Sequence, residues 1–499
     1  MIESHLSLLI VVLPLITAPL VAVFSRGRLA WALCTLVCWV VFVFAGWQLN
    51  NVLSGGVISY AMGGWAPPWG IEYRIDIANA LVALIVSGIA AITLPYALHS
   101  VISEIPEKQH SLFYAAFMLC LTGLLGIALT GDIFNLFVFL EISSLSSYAL
   151  ISLGKKRQAL TAAYQYLIMG TIGATFFLIG IGLLYAMTGT LNMADLSQRL
   201  PALFEHRTIH TAFAFIMVGF ALKLALFPLH LWLPNAYTYA PTVVTVFLAA
   251  TATKVAVYVM LRIIFSVFNF SMIADTPTDE LLLLLCVIGI LVMSIYAIYQ
   301  KDSKRLLAYS SVAQIGYMML GIAFGTMLGL TATLVHMFNH ALMKGALFMA
   351  IGALVYRVGS SRLENFAGLG KQMPWTFAAI VIGGLSLIGV PGTAGFISKW
   401  YLVLAAIEKQ NWFVVAVILL GSLLAVIYVW KLVEVLYFKR ANEQDQSIPQ
   451  AALVKEAPLM LLIPTWILVL ANIYFGFSTD LTVGVAERAV DMLLPGTKE

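Results

Sequence analysis

The sequence predicts an all-α polytopic membrane protein with about 14 transmembrane helices, and its composition is the first reason. Of the 499 residues, 62% are hydrophobic and only 10% are charged. A soluble domain is usually about half apolar and about a quarter charged. A chain of this length with so few polar side chains cannot cover a water-facing surface. The composition therefore excludes a cytosolic enzyme, a nucleic-acid-binding protein and a disordered chain.

The second reason is the length of the apolar runs. A membrane-spanning helix needs about 20 mostly apolar residues, and hydropathy divides the chain into runs of about that length. The fourteen predicted spans are 4–24, 29–50, 77–101, 111–130, 132–153, 162–188, 209–230, 241–265, 280–300, 305–325, 328–356, 375–405, 411–438 and 457–478. The first run is predicted to remain as a helix rather than to be a cleaved signal, because its positive charges follow it at Arg26 and Arg28.

The third reason is the placement of lysine and arginine. Odd-numbered loops hold fifteen of them: Arg26, Arg28, Lys108, Lys155, Lys156, Arg157, Lys301, Lys304, Arg305, Arg357, Arg362, Lys371, Lys439, Arg440 and Lys455. Even-numbered loops and the C-terminal tail hold seven: Arg74, Arg199, Arg207, Arg262, Lys409, Arg488 and Lys498. Because cytoplasmic loops are enriched in these residues, we expect a multi-pass protein of the cell membrane with both termini outside the cytoplasm.

The connections between spans are too short to form a soluble domain, so residues 1–499 are predicted to be a single membrane domain. The sequence has no P-loop, no GxGxxG after a strand and no CxxC. We therefore expect no bound cofactor, no metal and no nucleic-acid partner. The cysteines lie inside apolar runs without metal-ligand spacing and are interpreted as packing residues: Cys34, Cys38, Cys120 and Cys286.

The informative residues are the ionisable ones inside the spans. A central lysine or aspartate costs about 2.5–3.5 kcal/mol on insertion scales, so stability alone does not explain them. The candidate residues are Glu141, Lys223, Lys254, His336, His340, Lys344 and Lys399, with His230, Lys431 and Glu434 as weaker candidates. Their default interpretation is a polar path through the interior of the helix bundle, and the alternative is snorkelling from helix ends.

Two of the lysines lie beside breaks in their spans. Lys223 precedes Pro228 by five residues, and Lys399 follows Pro391 by eight residues. Proline removes a backbone donor and interrupts a helix, and such irregular backbone is tolerated in a membrane only beside protein or a water-filled cavity. The two broken spans are five spans apart, which indicates an inverted repeat. The lysine precedes the break in one span and follows it in the other, so the repeat is not a simple sequence copy.

Glu141 and the histidine stripe complete the predicted path. Glu141 lies nine residues into its span, too deep for so short a side chain to snorkel. His336, His340 and Lys344 fall on one helical face over about 12 Å of rise. A switchable Glu141–Lys223 pair would load a proton, and moving the carboxylate away would release it toward Lys254 and His340.

The remaining polar residues near the spans have competing interpretations. His230 is either part of the path or simply interfacial. Lys431 and Glu434 form either the exit of the path or a simple ion pair with a snorkelling lysine. Asp76 and Asp132 stand at span starts, where a carboxylate stabilises a helix N-terminus, and are interpreted as structural.

The motifs around these residues resemble one family. GDIFNLFVFLEI, ALKLALFPLHLWLPNAYTYAPTVVTVFLAATATKVAVY, KRLLAYSSVAQIGYMMLG and HMFNHALMKGALFMAIG are similar to the antiporter-like subunits of respiratory complex I and of multi-subunit Mrp Na⁺/H⁺ antiporters. The resemblance covers nearly the whole chain. It implies N-terminal helices in 1–103, two inverted five-helix repeats in 111–265 and 280–438, and a last helix in 457–478. It also implies proton transfer by Glu141, Lys223, Lys254, His336, His340, Lys344 and Lys399.

The segment GGWAPPWGIEYRID resembles the D-type Mrp subunit. That resemblance implies a transporter subunit rather than an enzyme, in a hetero-oligomer with subunits of the Mrp A, B, C, E, F and G types, exchanging protons for Na⁺. One alternative is a proton-pumping subunit of complex I (NADH-quinone oxidoreductase) or of a membrane-bound hydrogenase, within a redox-driven translocase. Another is a stand-alone organic-solute carrier, and a structural scaffold would not explain the buried charges.

Overall fold

The computed structural model of the protein describes residues 3–24, 27–269, 277–439 and 454–494. Arg26, Arg440 and Lys498, which contributed to the predicted charge asymmetry, lie outside these residues. The described residues confirm the predicted fold class, an all-α polytopic membrane protein. Strands occur among them only in one short hairpin.

The described ranges contain nineteen α-helices, labelled in chain order. They are α1 (Leu6–Phe24), α2 (Gly27–Gly55), α3 (Ile77–Glu104), α4 (His110–Leu129), α5 (Ile133–Ser152), α6 (Gln158–Thr188), α7 (Met193–Arg199), α8 (Arg207–Leu224), α9 (Trp232–Tyr239), α10 (Thr242–Ala250), α11 (Ala252–Arg262), α12 (Thr278–Tyr299), α13 (Ser303–Phe324), α14 (Met327–Val358), α15 (Pro374–Ile388), α16 (Ala394–Glu408), α17 (Trp412–Val433), α18 (Leu459–Phe477) and α19 (Val485–Leu493). Short π-helical turns follow α11 at Ile263–Val267 and α17 at Glu434–Phe438. A third precedes α19 at Asp480–Gly484.

Thirteen helical segments in the described part of the chain are long and apolar enough to cross a membrane. The predicted span 375–405 is instead the pair α15 and α16, each of 15 residues. A 15-residue helix is about 22 Å long, which is shorter than the hydrocarbon core of about 30 Å. The two half-helices together account for the twelfth predicted span, which brings the thirteen long helical segments to fourteen spans.

The spans differ in how deeply they are buried by their neighbours. The most enclosed are α3, α4, the α10–α11 pair and α13, whereas α2 and α18 expose most of their apolar residues. Helix α14 is buried along nearly its whole length and packs against α3, α10 and α13. Because the exposed residues are apolar, the outer helices face lipid and the polar side chains of the inner helices lie in the protein interior.

Aspartates begin two of the helices, as predicted. Asp76 caps α3 by accepting from the backbone N–H of Asn79, whose side chain accepts in turn from the Asp76 N–H. Asp132 caps α5 by accepting from the N–H of Asn135. Such caps satisfy donors that have no partner within the helix, so both carboxylates cap helix N-termini as predicted.

The loop before α3 contains a hairpin that the sequence analysis did not predict. Strand β1 (Ile58–Ala61) pairs antiparallel with β2 (Glu72–Ile75), with Ile58 opposite Ile75. The buried Glu72 carboxylate accepts hydrogen bonds from Ser59 and from Asn192 at 2.8 Å. The hairpin is therefore fixed to the start of α7.

The C-terminal helix α19 was also not predicted. Val485, Ala486, Ala489, Val490 and Leu493 are buried, and they recur at helical spacing on one face. This face packs against α3 and α14, so α19 lies along the bundle as a short amphipathic helix.

Candidate functional site

The carboxylate and the first lysine of the predicted path are in contact. Lys223 Nζ lies 3.5 Å from Glu141 Oε1 and donates to Ser144 Oγ at 2.7 Å. Glu141 and Ser144 are one turn apart on α5, so both face α8. The side chain of Lys223 is 6% exposed and that of Glu141 is 27% exposed. The ion-pair distance is at the long end for a hydrogen bond, so the contact of Lys223 with Ser144 is the closer one.

The break beside Lys223 comes earlier than the sequence predicted. Helix α8 ends at Leu224, and Ala225 adopts a left-handed conformation with φ of 61°. Pro228 lies in the linker that follows, rather than at the break. The carbonyl of Leu222 accepts a hydrogen bond from Trp232 Nε1 at 2.9 Å, so the broken end is satisfied by the start of α9.

His230 lies in the same linker between α8 and α9. Its ring stacks on Phe227 with the centroids 5.5 Å apart, and its side chain is buried. Both interpretations of His230 from the sequence stay predictions, because burial by protein does not determine its depth in the membrane.

A small cavity lies beside Lys223. Its volume is about 40 Å³, and its lining includes Ser143, Ser147, Lys223 and Thr253. A water needs about 10–15 Å³ of such space and two or more polar partners, so the cavity has room for water. Thr253 Oγ1 in turn lies 3.4 Å from Lys254 Nζ.

Lys254 lies just after a break that the sequence analysis missed. Span eight was predicted to be continuous, but α10 ends at Ala250 and α11 begins at Ala252, with Thr251 between them at φ −123° and ψ −58°. The ammonium of the fully buried Lys254 donates to the carbonyl oxygen of Ala249. A carbonyl near a break is available to such a donor because the helical bonding pattern is disturbed there.

The three titratable residues of α14 are all completely buried. His336 is hydrogen-bonded through one ring nitrogen to Ser398 Oγ at 2.7 Å and through the other to Gln314 Oε1 at 2.9 Å. The rings of His336 and His340 stack with centroids 5.8 Å apart. Lys344 donates to Ser310 and to the carbonyl of Leu307. The predicted stripe therefore lies in the interior.

Lys399 on α16 bonds to the end of α15, so it joins the two half-helices of span twelve. Its Nζ donates to the carbonyls of Leu387 at 3.1 Å and Ile388 at 2.9 Å, which are the last carbonyls of α15. It also donates to Ser422 Oγ at 3.0 Å. A cation is stabilised at a helix C-terminus because the unpaired carbonyls there carry partial negative charge. This contact explains why the lysine follows the break.

Lys431 and Glu434 do not pair with each other. Lys431 Nζ donates to the carbonyls of Ile298 at 2.7 Å and Gln300 at 2.8 Å, at the end of α12. Glu434 instead lies 3.6 Å from Lys439 Nζ, and both side chains are exposed. The simple Lys431–Glu434 ion pair considered from the sequence is therefore wrong.

Sequence reasoning missed the neutral partners of these charges. Ser310, Gln314, Ser398 and Ser422 each contact a buried histidine or lysine across a helix interface. A single neutral polar residue in an apolar helix is common, and its partner depends on packing. The sequence therefore contained no signal that distinguished these four residues from other serines and glutamines.

These groups form two clusters, in which Glu141 alone is partly exposed. The first cluster comprises Glu141, Ser144, Lys223, Thr253 and Lys254, and the second comprises His336, His340, Lys344, Ser398 and Lys399. Helices α10 and α14, which border the two clusters, pack against each other. No group of three or more His, Cys, Asp or Glu side chains in the described ranges is placed to hold a metal ion.

This protein has many helical spans, and ionisable side chains are buried across its interior. These features place it in the class of antiporter-like proton-translocating subunits. The chain belongs to the NADH:quinone oxidoreductase/Mrp antiporter membrane family, whose model matches residues 130–425.

Similar proteins come from both branches of that family. The N-type subunit of NADH-quinone oxidoreductase from Desulforudis audaxviator is 42% identical, over 99% of this chain and 100% of the relative. The D-type subunit of a Na⁺/H⁺ antiporter from Alkalihalophilus pseudofirmus is 31% identical, over 90% of this chain and 88% of the relative. A chain of the Mrp complex from Dietzia sp. DQ12-45-1b superposes with a TM-score of 0.90 at 26% identity, covering 100% of this chain and 98% of that chain.

Proposed function

We propose that this protein is the proton-translocating subunit of a multi-subunit monovalent cation/proton antiporter. The observation that carries the proposal is the 3.5 Å contact between Glu141 and Lys223 at one end of a series of buried titratable groups. The proposed proton-transfer residues are Glu141, Lys223, Lys254, Lys344, His340, His336 and Lys399. His230, Lys431 and Glu434 are weaker candidates, because none of them contacts either cluster through a hydrogen bond in the described residues.

In the first cluster, the charge of Lys223 depends on Glu141. While the carboxylate is close, it stabilises the ammonium. When the carboxylate moves away, the ammonium is desolvated with only Ser144 as a close partner, and it releases a proton. The cavity lined by Ser143, Ser147 and Thr253 leads that proton toward Lys254.

In the second cluster, the proton passes between groups on one helix face. Lys344 and His340 are one turn apart on α14, and the His340 ring stacks on that of His336. His336 is hydrogen-bonded to Ser398, the residue that precedes Lys399 on α16, and Lys399 is the proposed last group of the path. Each transfer moves one proton and changes no other bond.

We further propose that residues 111–265 and 280–438 are inverted five-helix repeats, preceded by helices in 1–103 and followed by a helix in 457–478. The support is that each segment has a buried lysine beside a broken span, Lys223 beside the end of α8 and Lys399 beside the end of α15, although the first segment has a second such lysine, Lys254. Inverted repeats place such breaks at corresponding depths.

The exchanged cation is expected to be Na⁺, and the partners are expected to be subunits of the Mrp A, B, C, E, F and G types in the cell membrane. The support is the 31% identity to a relative named as a D-type Na⁺/H⁺ antiporter subunit and the resemblance of the segment before α3. The chain itself would then be a transporter subunit and not an enzyme.

A second candidate function is favoured by the 42% identity to a relative named as an N-type subunit of NADH-quinone oxidoreductase. In that case the same clusters would pump protons within a redox-driven complex. Purifying the assembled complex from its host separates the two candidates. Proton movement driven by NADH and quinone would support the second, and proton movement driven by an imposed Na⁺ gradient would support the first.

The proposed path is tested by removing charge from the first cluster. In everted vesicles containing the assembled complex, Glu141→Gln and Lys223→Met should each lower proton transport by about a hundredfold, because either change removes the switchable pair. The matched controls are Glu364→Gln, from an exposed ion pair with Arg362, and Lys409→Met, at an exposed lysine. Wild-type transport in assembled Lys223→Met would refute the path.

A further inference from the structure

A cavity of about 620 Å³ lies at the face of the protein that carries the even-numbered loops. Its lining comes from the loop before α3, the loop before α5, helix α7 and the end of α19. Arg74 and Val57 line it and are exposed, so the cavity reaches the surface. The distribution of lysine and arginine predicts that this face is outside the cytoplasm.

The inner part of this cavity ends at a buried ion pair. Arg262 donates to both oxygens of Asp76, at 2.6 and 2.9 Å, and each side chain is only 13% exposed. The capping box with Asn79 fixes Asp76 at the start of α3. Arg262 also donates from Nε to Tyr258 Oη at 3.1 Å. The guanidinium therefore links Asp76 to Tyr258.

Helix α11 aligns this ion pair with the proton path. Lys254, Tyr258 and Arg262 are spaced four residues apart, so they lie on one face and each step rises about 6 Å. Tyr258 lines the cavity and is buried. Lys254 is one turn deeper, with its ammonium bound to Ala249 on the side away from Tyr258. A lysine has a flexible stem and can direct its ammonium to either side.

We propose that this cavity is a mouth of the proton path, an opening at the face that carries the even-numbered loops. Lys254 exchanges protons with the cavity through the Tyr258 hydroxyl. The Asp76–Arg262 pair is the gate of this mouth. The inference rests on the proposed function, because it requires Lys254 to carry protons. It adds an opening beside Tyr258 and Arg262 and assigns a role to an ion pair that belongs to neither cluster.

The structure corresponds to the closed gate. The Tyr258 hydroxyl donates to the carbonyl of Ala128 at 3.1 Å and accepts from Arg262, so its single proton is not offered to water in the cavity. When Arg262 withdraws, the hydroxyl can turn to the cavity and relay a proton from the Lys254 ammonium to water in one concerted step. The Lys254 N–H and the original Tyr258 O–H bonds break while a new Tyr258 O–H and a water O–H bond form, which leaves a neutral amine, an intact tyrosine and a protonated water.

Opening the gate should produce a passive leak of protons. The assembled complex is reconstituted in liposomes with no electron donor and no cation gradient, and proton flux is followed with a pH dye after an acid pulse. If the gate is closed at rest, its open state is populated at about 1% or less. Asp76→Asn removes the ion pair that holds the gate closed, so it should raise the proton leak about tenfold or more. Adding Lys254→Met should abolish that leak, because the path beyond the gate is then interrupted.

A purely structural ion pair would not give this pattern. The matched control is Asp195→Asn, which removes an ion pair with Arg199 at the same face, and its leak should equal that of the wild type. An unchanged leak in assembled Asp76→Asn would overturn the proposal. A raised leak that persists in the Asp76→Asn, Lys254→Met double variant would overturn it as well.

Tyr258→Phe provides a second test that keeps the ring and removes only the hydroxyl. It should suppress the Asp76→Asn leak, and alone it should lower driven transport about tenfold if the complex assembles. Wild-type transport in Tyr258→Phe would refute the mouth even if Asp76→Asn failed to assemble. The Glu141→Gln and Lys223→Met results do not depend on this gate, so they identify a failure of the proposed function separately.

Discussion

At the scale of single residues, most buried lysines of this protein bind carbonyl and hydroxyl oxygens. Lys254 binds the carbonyl of Ala249, Lys344 that of Leu307, and Lys399 those at the end of α15. A lysine paired with a buried carboxylate would leave an unpaired charge on losing its proton, which costs several kcal/mol. A neutral amine still has two N–H bonds, so a carbonyl partner keeps its donor when the lysine loses a proton. These lysines are therefore placed to change charge, and among the lysines of the two clusters only Lys223 has a carboxylate partner.

His340 gives a clean test of proton transfer at this scale. Within the described residues neither of its ring nitrogens has a hydrogen-bond partner, so His340→Phe removes the titratable nitrogens without breaking a hydrogen bond. We expect transport to fall at least tenfold while thermal stability changes by less than about 1 kcal/mol. Stability and transport are measured on the same purified complex.

The comparison variant for His340→Phe is His336→Phe. It loses the hydrogen bonds to Ser398 and Gln314 and should destabilise the protein by about 1–3 kcal/mol. If His340→Phe assembled and transported protons at the wild-type rate, His340 would be a packing residue and not part of the path.

Asp76 predicts a pH dependence of stability. Burial would raise the pKa of Asp76, but the charge of Arg262 and the hydrogen bonds to Asp76 outweigh it and hold the pKa below its ordinary value. A carboxyl whose pKa is lowered by folding stabilises the protein above its unfolded pKa of about 3.9, and this contribution is lost as the pH falls through the folded value.

The melting temperature of the purified complex, measured from pH 6 down to pH 3, should show this effect. Asp76→Asn should be less stable than the wild type at pH 6, by about 3 kcal/mol, and the difference should shrink at the acid end. The control Glu434→Gln changes an exposed carboxylate and should follow the wild type throughout. A constant difference between Asp76→Asn and the wild type would contradict the assignment.

At the scale of elements, the breaks in the helices place the lysines. Helix α8 ends beside Lys223, the α10–α11 break lies beside Lys254, and the α15–α16 break lies beside Lys399. In the last case the start of α16 packs closely against the end of α15, because Gly395 donates its N–H to Ser386 Oγ at 3.1 Å.

This close packing predicts that Gly395→Ala is destabilising. A methyl group at Gly395 would collide with the carbonyl oxygen of Ser386 and lie 3.1 Å from Met343 Sδ. Overpacking of this kind costs about 1–3 kcal/mol or more. The melting temperature of the complex should fall, and transport should fall with it because Lys399 is displaced.

The matched control is Gly182→Ala on α6. A methyl group there meets no other atom within 4 Å, and alanine is the better helix former. Its stability should equal or exceed that of the wild type. A fully stable and active Gly395→Ala variant would show that the two half-helices need not pack as described.

At the scale of the whole molecule, the orientation in the membrane can be tested directly. Trp69, in the second loop, is 92% exposed, and Lys156, in the fifth loop, is also exposed. The four native cysteines are completely buried, so an impermeant maleimide should not label them. We expect it to label Trp69→Cys but not Lys156→Cys in intact cells, and to do the reverse in everted vesicles. The opposite pattern would invert the predicted topology.

The sequence by itself determined the fold class, the approximate positions of the spans and most of the buried charges. Those properties depend on the hydropathy of one segment at a time, because a spanning helix satisfies its own backbone. The Glu141–Lys223 pair was also expected from the sequence, since opposite charges buried in apolar helices are stabilised by contact.

Only the tertiary structure decided where the helices break and what each buried charge contacts. The break at Thr251 follows no proline or glycine, and the break beside Lys223 precedes Pro228, so both depend on packing against neighbouring helices. The partners Gln314, Ser398 and Ser422, and the contact of Arg262 with Asp76, join residues distant in the chain. Such pairings depend on the distances between helices, which no single segment of sequence contains.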